Sequence, residues 1–414
     1  MFEKKNIRFA VLALLLVAPL VSFWTCIWLF APNAPWWDDF PAVLQYLSYP
    51  MPDRFFHLAD FHNEHRLILP RLVFELFDSI AGKGGFPFFW CTAFGDCLLL
   101  TYVFLFGKQF VGRIGIWPFL PFLWLFLDLA NCENTIWTLT AVQSHSAFLF
   151  SFAAFLLFSR RESRLMFVLA MACAVLASLS SASGLGVWPT LLVASLFDGR
   201  GRSSVWIVML VAVAVVVPYL IGFTSAHGCH AAGTRVTVTG AFDFMLCFMG
   251  NLCPVAWVAR LLGLFSAGAA VVLLFNFRRL AAEPVFAFFI YLLSIVASGM
   301  ILRGGMENIG ICSRFEIVAI SLFCCEAYLL GCLALGDERR WHLFSLTVKF
   351  VLPCVVLAHL AMPFVASDML FDRKAKIEEG YAVWPERRDE LVVWDAKEGD
   401  RILQAYFERK RTTR

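Results

Sequence analysis

What this sequence has least of is charge: Asp, Glu, Lys and Arg make up 16% of its 414 residues, against 60% hydrophobic residues. A chain of this length folding in water needs a charged surface, and there is too little polar material here to build one. Also missing are a glycine-rich phosphate loop and any stretch long enough for a soluble nucleotide-binding unit. Their absence argues against an ATP-driven pump and against an enzyme that takes nucleotide sugars in a soluble domain. The thirteen cysteines follow neither metal-type nor disulfide-framework spacing. Most sit in apolar blocks, where cysteine is a small hydrophobe. There is no internal repeat and no low-complexity run.

What is present is a series of apolar blocks of roughly 20 residues, the length that crosses a hydrocarbon layer as a helix. Lipid offers no partners to backbone polar groups, so such blocks are read as helices. The spacing predicts an all-α, polytopic transmembrane bundle of about eleven helices. Their spans are 7–31, 85–107, 114–131, 140–158, 165–182, 185–197, 204–224, 256–276, 284–302, 315–335 and 344–366. The first block follows Lys4, Lys5 and Arg8, but it is too long for a signal-peptide core, and Ala31-Pro32-Asn33-Ala34 is a poor cleavage site because of its proline, so the block reads as a retained helix. Ser181 to Gly186 is either a tight turn or a break in one bent element.

Basic residues gather in alternate loops, as the positive-inside rule requires. One set holds Lys4, Lys5 and Arg8, Lys108 and Arg113, Arg160, Arg161 and Arg164, Arg200 and Arg202, Arg278 and Arg279, Arg339 and Arg340. The other holds Asp38, Asp39, Asp53, Asp60, Glu64, Glu133, Asp243 and Glu307. The N-terminus is therefore expected in the cytoplasm. The domain reading is a bundle over 1–366, with a long first extracytoplasmic loop over 32–84, and a charged extracytoplasmic tail over 367–414 that carries Trp384 and Trp394.

Polar chemistry concentrates on the outer face. The first loop opens with Pro35-Trp36-Trp37-Asp38-Asp39, then carries His62-Asn63-Glu64-His65-Arg66 and an amphipathic run from Leu67 to Ile80. Asp38 and Asp39 read as an N-cap pair with solvated charge or as functional carboxylates. His57, His62 and His65 lack strict ligand spacing and read as interfacial histidines rather than a metal cluster, and His227-Gly228-Cys229-His230 reads as a loop. Other outer segments hold Glu133, Trp137 and Gln143, Ser180 to Trp188, Arg303 to Glu307, and Ser313-Arg314-Phe315-Glu316. Arg303 and Arg314 break the positive-inside trend. Guanidinium suits bidentate phosphate binding, and snorkelling to ordinary lipid headgroups is the bland alternative. Asp96, Arg260 and Glu326 fall near mid-span. They are expected to face the interior, with Asp96 and Arg260 as a neutralising pair.

Taken together, Asp38-Asp39 after the first helix, Asn63-Glu64-His65-Arg66, Glu133 with Trp137 and Gln143, Ser183-Gly184-Leu185 with Trp188, and Ser313-Arg314-Phe315 resemble the GT-C class of membrane glycosyltransferases. The resemblance implies a GT-C-like bundle in a bacterial cytoplasmic (inner) membrane, acting on the extracytoplasmic face. Its implied donor is a sugar on a polyprenyl-phosphate carrier, passed with inversion to a glycan, lipid or protein acceptor. Membrane lipids are implied partners and nucleic acid is not. A divalent cation, magnesium or manganese, is the one cofactor it leaves open. It differs from many relatives in the adjacent Asp-Asp pair and in lacking a large soluble C-terminal domain.

The expected roles are Asp38 as base with Asp39 orienting it or exchanging roles with it. Arg314 and Arg303 would hold the phosphate, Glu64, His65 and Arg66 would line the acceptor side, and Glu133 and Gln143 would contact sugar hydroxyls. A secondary transporter or flippase for a lipid-linked or anionic substrate is the competing reading, resting on Asp96, Arg260 and Glu326. A ligase or polymerase acting on lipid-linked glycans is another.

Overall fold

The computed structural model describes residues 2–160, 163–197, 202–223, 236–303, 312–393 and 395–412. His227 to His230, Arg161, Arg200, Glu307 and Trp394 lie outside the described residues. Among the described residues, 8 helices are long and apolar enough to cross a membrane, from Asn6–Phe30 to Glu338–Ala382. The chain is a multi-pass membrane protein with an all-α bundle, its only sheet among the described residues being a two-stranded hairpin.

The eleven expected spans were too uniform. The block at 114–131 is a short apolar helix, Trp117–Phe126, followed by two fragments, Leu129–Asn131 and Cys132–Thr135. Pro118 and Pro121 remove donors there, and the Asp128 carboxylate caps Ala130 N–H at 2.8 Å. The spans expected at 165–182 and 185–197 are shorter helices, Arg164–Ser180 and Val187–Phe197, joined by a 3₁₀ turn over Ala182–Gly186. Gly184 is needed in that turn, because a Cβ there would lie 2.0 Å from the Ala177 carbonyl oxygen. Val238–Met249 was not expected as a helix; its 12 residues are too few to cross, and Thr237 caps its start. The last long helix, Glu338–Ala382, runs 45 residues, so the expected boundary at 366 falls inside it.

The Thr138–Phe158 helix is the centre, packed on Phe88–Arg113 and Arg164–Ser180. Gly95 lets two backbones approach, since a Cβ there would stand 2.7 Å from the Ala141 carbonyl carbon. Tyr102 donates to Ser321 Oγ at 2.7 Å, and Phe106 stacks on Phe152 with centroids 4.2 Å apart. The peripheral helices instead expose Val21, Leu210, Val213 and Phe364, as a bundle solvated by lipid should.

The interior polar groups pair differently from expectation. Arg260 is half exposed near the start of the Ala256–Phe275 helix and binds Asp243 at 2.5 Å. Asp96 is fully buried on another helix beside His145, with 3.7 Å between Oδ1 and Nδ1. The expected Asp96–Arg260 pair is therefore wrong: mid-span position in sequence did not mean equal depth or a shared face. Glu326 accepts a hydrogen bond from Ser266 at 2.6 Å. His359, not singled out from the sequence, sits 2.9 Å from Asp128 and 3.1 Å from Ser22 Oγ, linking the first and last long helices.

The first loop is a folded unit. Buried Arg54 binds Glu75 at 3.1 Å and donates to the carbonyls of Leu47 and Tyr49. Arg71 donates to the carbonyls of His57, Leu58 and Asp60. The amphipathic run forms the helix Ile68–Ala81. The tail closes on it: from the Ala396–Thr412 helix, Tyr406, Arg409 and Lys410 approach Asp78 at 2.8, 2.6 and 2.8 Å.

Candidate active site

The site is built where the first loop, the Ser181 turn and the segment before the Glu316–Ala334 helix meet at one end of the bundle. The Trp36-Trp37 corner sets Asp38. Trp37 has φ 45°, a left-handed conformation that costs a bulky residue about 1–3 kcal/mol. Its neighbours enforce it. Trp37 N–H donates to the Val392 carbonyl at 3.2 Å, and Trp36, Trp37 and Trp137 pack ring against ring.

The two aspartates then separate. Asp39 is 1% exposed, accepting Trp36 N–H at 3.1 Å on one oxygen and Leu139 N–H at 3.0 Å on the other. Burial pushes its pKa well above the usual carboxylate value, although those N–H groups oppose the shift. Asp38, by contrast, is partly exposed and faces His62 Nε2 at 3.6 Å.

His62 belongs to a hairpin, Phe61–His62 paired with His65–Arg66. Asn63, at φ 51°, makes its turn, since asparagine tolerates the left-handed region better than most residues. The tip thereby presents Glu64, which forms an ion pair with Arg303 and lies 3.6 Å from His65 Nε2. Burial opposes ionisation of Glu64, yet His65 and Arg303 outweigh it and hold its pKa below the usual carboxylate range. His65 Nδ1 accepts Ala182 N–H at 3.2 Å, which leaves Nε2 to carry the proton toward Glu64. Burial, with the charge of Arg303 added, lowers its pKa to about 4 despite Glu64. Gln143 joins through Ser181, its Nε2 lying 3.4 Å from Ser181 Oγ.

The opposite wall is the turn Ser313–Phe315. Asn134 holds it by donating to the carbonyls of Ser313 and Arg314, and Glu133 N–H donates to Ser313 Oγ at 3.3 Å. Cys312 Sγ stands 3.4 Å from the Glu133 carboxylate. Arg303 and Arg314 flank one ring, their guanidinium carbons 5.3 and 5.5 Å from the Phe315 centroid. Arg314 makes no ion pair among the described residues, and its Nε is buried without a hydrogen-bond partner there.

Thus Asp38, Glu64, His65, Glu133, Gln143, Arg303 and Arg314 belong to one connected polar region. Arg66 does not face it: its guanidinium donates to the carbonyls of Ala59, Tyr219 and Ile221, tying the hairpin to the Arg202–Leu220 helix. Sequence reading missed Arg373, which lies over the Trp36 ring at 5.1 Å. Its signal was present, because a basic residue in the supposedly outer tail breaks the positive-inside trend as Arg314 does. Among the described residues no group of three or more His, Cys, Asp or Glu side chains is arranged to hold a metal ion.

No family model matches the chain, and no curated protein matches it. Among solved structures it is similar to the crystal structure of ArnT from Cupriavidus metallidurans bound to undecaprenyl phosphate. That likeness covers 97% of this chain and 76% of the other, with 15% identity and a TM-score of 0.49. It is too distant to carry any residue's role across.

Proposed function

We propose that this protein is a membrane glycosyltransferase that moves a sugar from a polyprenyl-phosphate carrier to an acceptor on the extracytoplasmic face. The observation that carries this reading is Arg314: a guanidinium with an uncommitted buried donor, in the same polar region as a partly exposed carboxylate, Asp38. A donor of this kind needs both features, one for the phosphate and one for the proton.

In the proposed reaction Asp38 takes the proton of an acceptor hydroxyl as its oxygen attacks the anomeric carbon. The bond from that carbon to the phosphate oxygen breaks, and the carrier leaves as polyprenyl phosphate with one more negative charge. Arg314 and Arg303 stabilise that charge as it develops. A single displacement with one base inverts the anomeric centre. Asp39 suits the orienting role rather than an exchange of roles, because both of its oxygens already hold backbone N–H groups. Glu64 and His65 keep Arg303 in place, Glu133 and Gln143 are positioned for sugar hydroxyls, and Arg66 acts through the hairpin it anchors.

The test is transfer in membranes given radiolabelled polyprenyl-phosphate sugars, comparing the natural chain with Asp38→Asn. Carboxylate-dependent movement of label from carrier to product supports the reading. Full activity in Asp38→Asn sinks the assignment of the base. Flux of intact lipid-linked sugar across proteoliposomes with no covalent product replaces transfer with transport.

A further inference from the structure

The end of the bundle remote from the candidate site carries a cleft of about 1020 Å³ where the Ala256–Phe275, Glu316–Ala334 and Glu338–Ala382 helices diverge. Its walls are apolar, including Phe275, Leu330, Leu343 and Phe344, and Arg278, Arg279 and Arg340 stand around it. Arg340 is neutralised by Asp337 at 3.1 Å. Arg278 and Arg279 are exposed and form no ion pair among the described residues. Glu283, four residues on from Arg279 in the chain, is already taken by Arg113 at 2.9 Å and by the Tyr328 hydroxyl at 3.1 Å.

These features constrain the occupant. A soluble anion would satisfy the guanidinium groups and leave the apolar walls wet. A neutral lipid would cover the walls and leave two positive charges uncompensated. An amphiphile with an anionic head does both, and basic pockets between transmembrane helices are suited to such headgroups. We propose that this cleft binds an anionic phospholipid of the adjacent leaflet, its phosphate on Arg278 and Arg279 and its chains against Phe275 and Phe344.

The test uses the full chain in detergent, with binding read by native mass spectrometry and by thermal unfolding. The probes are phosphatidylglycerol, phosphatidylcholine, inorganic phosphate and undecaprenyl phosphate. Phosphatidylglycerol should be retained and should raise the unfolding temperature. The double substitution Arg278→Gln with Arg279→Gln should weaken its binding by about 30-fold, at the scale of one screened headgroup contact per arginine. Arg339→Gln, outside the cleft, should change nothing and controls for general surface charge. Equal binding of phosphatidylcholine, an equal shift with inorganic phosphate, or unchanged binding in the double variant would each overturn the proposal. Tighter binding of undecaprenyl phosphate than of phosphatidylglycerol would overturn it too, by making the cleft a carrier site.

Discussion

Two acidic centres lie on the first loop, and they differ in how deeply their carboxylates are buried. Asp78 is 4% exposed and receives Tyr406, Arg409 and Lys410 at hydrogen-bond distance. Asp38 is partly exposed, with His62 at 3.6 Å, and belongs to a region where the Arg314 Nε has no hydrogen-bond partner among the described residues. A carboxylate surrounded by donors is a fastener, since its oxygens have nothing left to accept. One that is partly exposed is open to an acceptor hydroxyl arriving from outside. The same loop thus supplies an anchor and a candidate base, and the tail that Asp78 holds also gives the Val392 carbonyl that fixes Trp37 beside Asp38.

That contrast can be broken by substitution. The largest effect expected is from Asp38→Asn, which should cut transfer by about 10²–10⁴-fold, the usual range for losing a general base. Its unfolding temperature should stay unchanged; a variant that loses activity only by unfolding would erase the distinction. Arg314→Gln should cost about 10²–10³-fold in kcat, as for the loss of one charge-stabilising donor. Loss confined to KM would instead assign Arg314 to ground-state binding.

Asp78→Asn should act on stability, because it removes the carboxylate that pairs with buried Lys410 and with Arg409. Removing one partner of such a buried pair costs about 3–5 kcal/mol. Thermal unfolding in detergent would detect that, while activity per folded molecule should fall far less than in Asp38→Asn.

The smallest effect is a pH slope. His65 is held neutral with its pKa depressed to about 4 from 6.5. The unfolded chain therefore binds its proton more readily, so the contribution is complete above pH 6.5 and is lost as pH falls toward 4. His65→Gln should flatten the stability profile in that window, and an unchanged slope would place its origin elsewhere.

Legibility in the sequence followed the range of the interaction. The amphipathic helix Ile68–Ala81 was readable because its periodicity is local. The break at Ser181 was visible as small residues, but the contact between Gly184 and Ala177 that requires it is tertiary. Asp38 and Asp39 look equivalent in sequence; only the Leu139 N–H, from a distant helix, makes Asp39 the inward one. Arg66 and Arg314 likewise look alike, but three carbonyls occupy the first, while the Nε of the second has no hydrogen-bond partner among the described residues.

By itself the sequence determined that this chain lies in a membrane, roughly where it crosses, and which loops carry the acidic residues. Those follow from composition and from transfer free energy summed over about 20 neighbouring residues. Tertiary structure decided which ionisable groups meet: Glu64 with Arg303, His359 with Asp128, and Arg260 with Asp243 rather than Asp96. Depth, helix rotation and packing fix such pairs, and none of these is a property of a local stretch of chain.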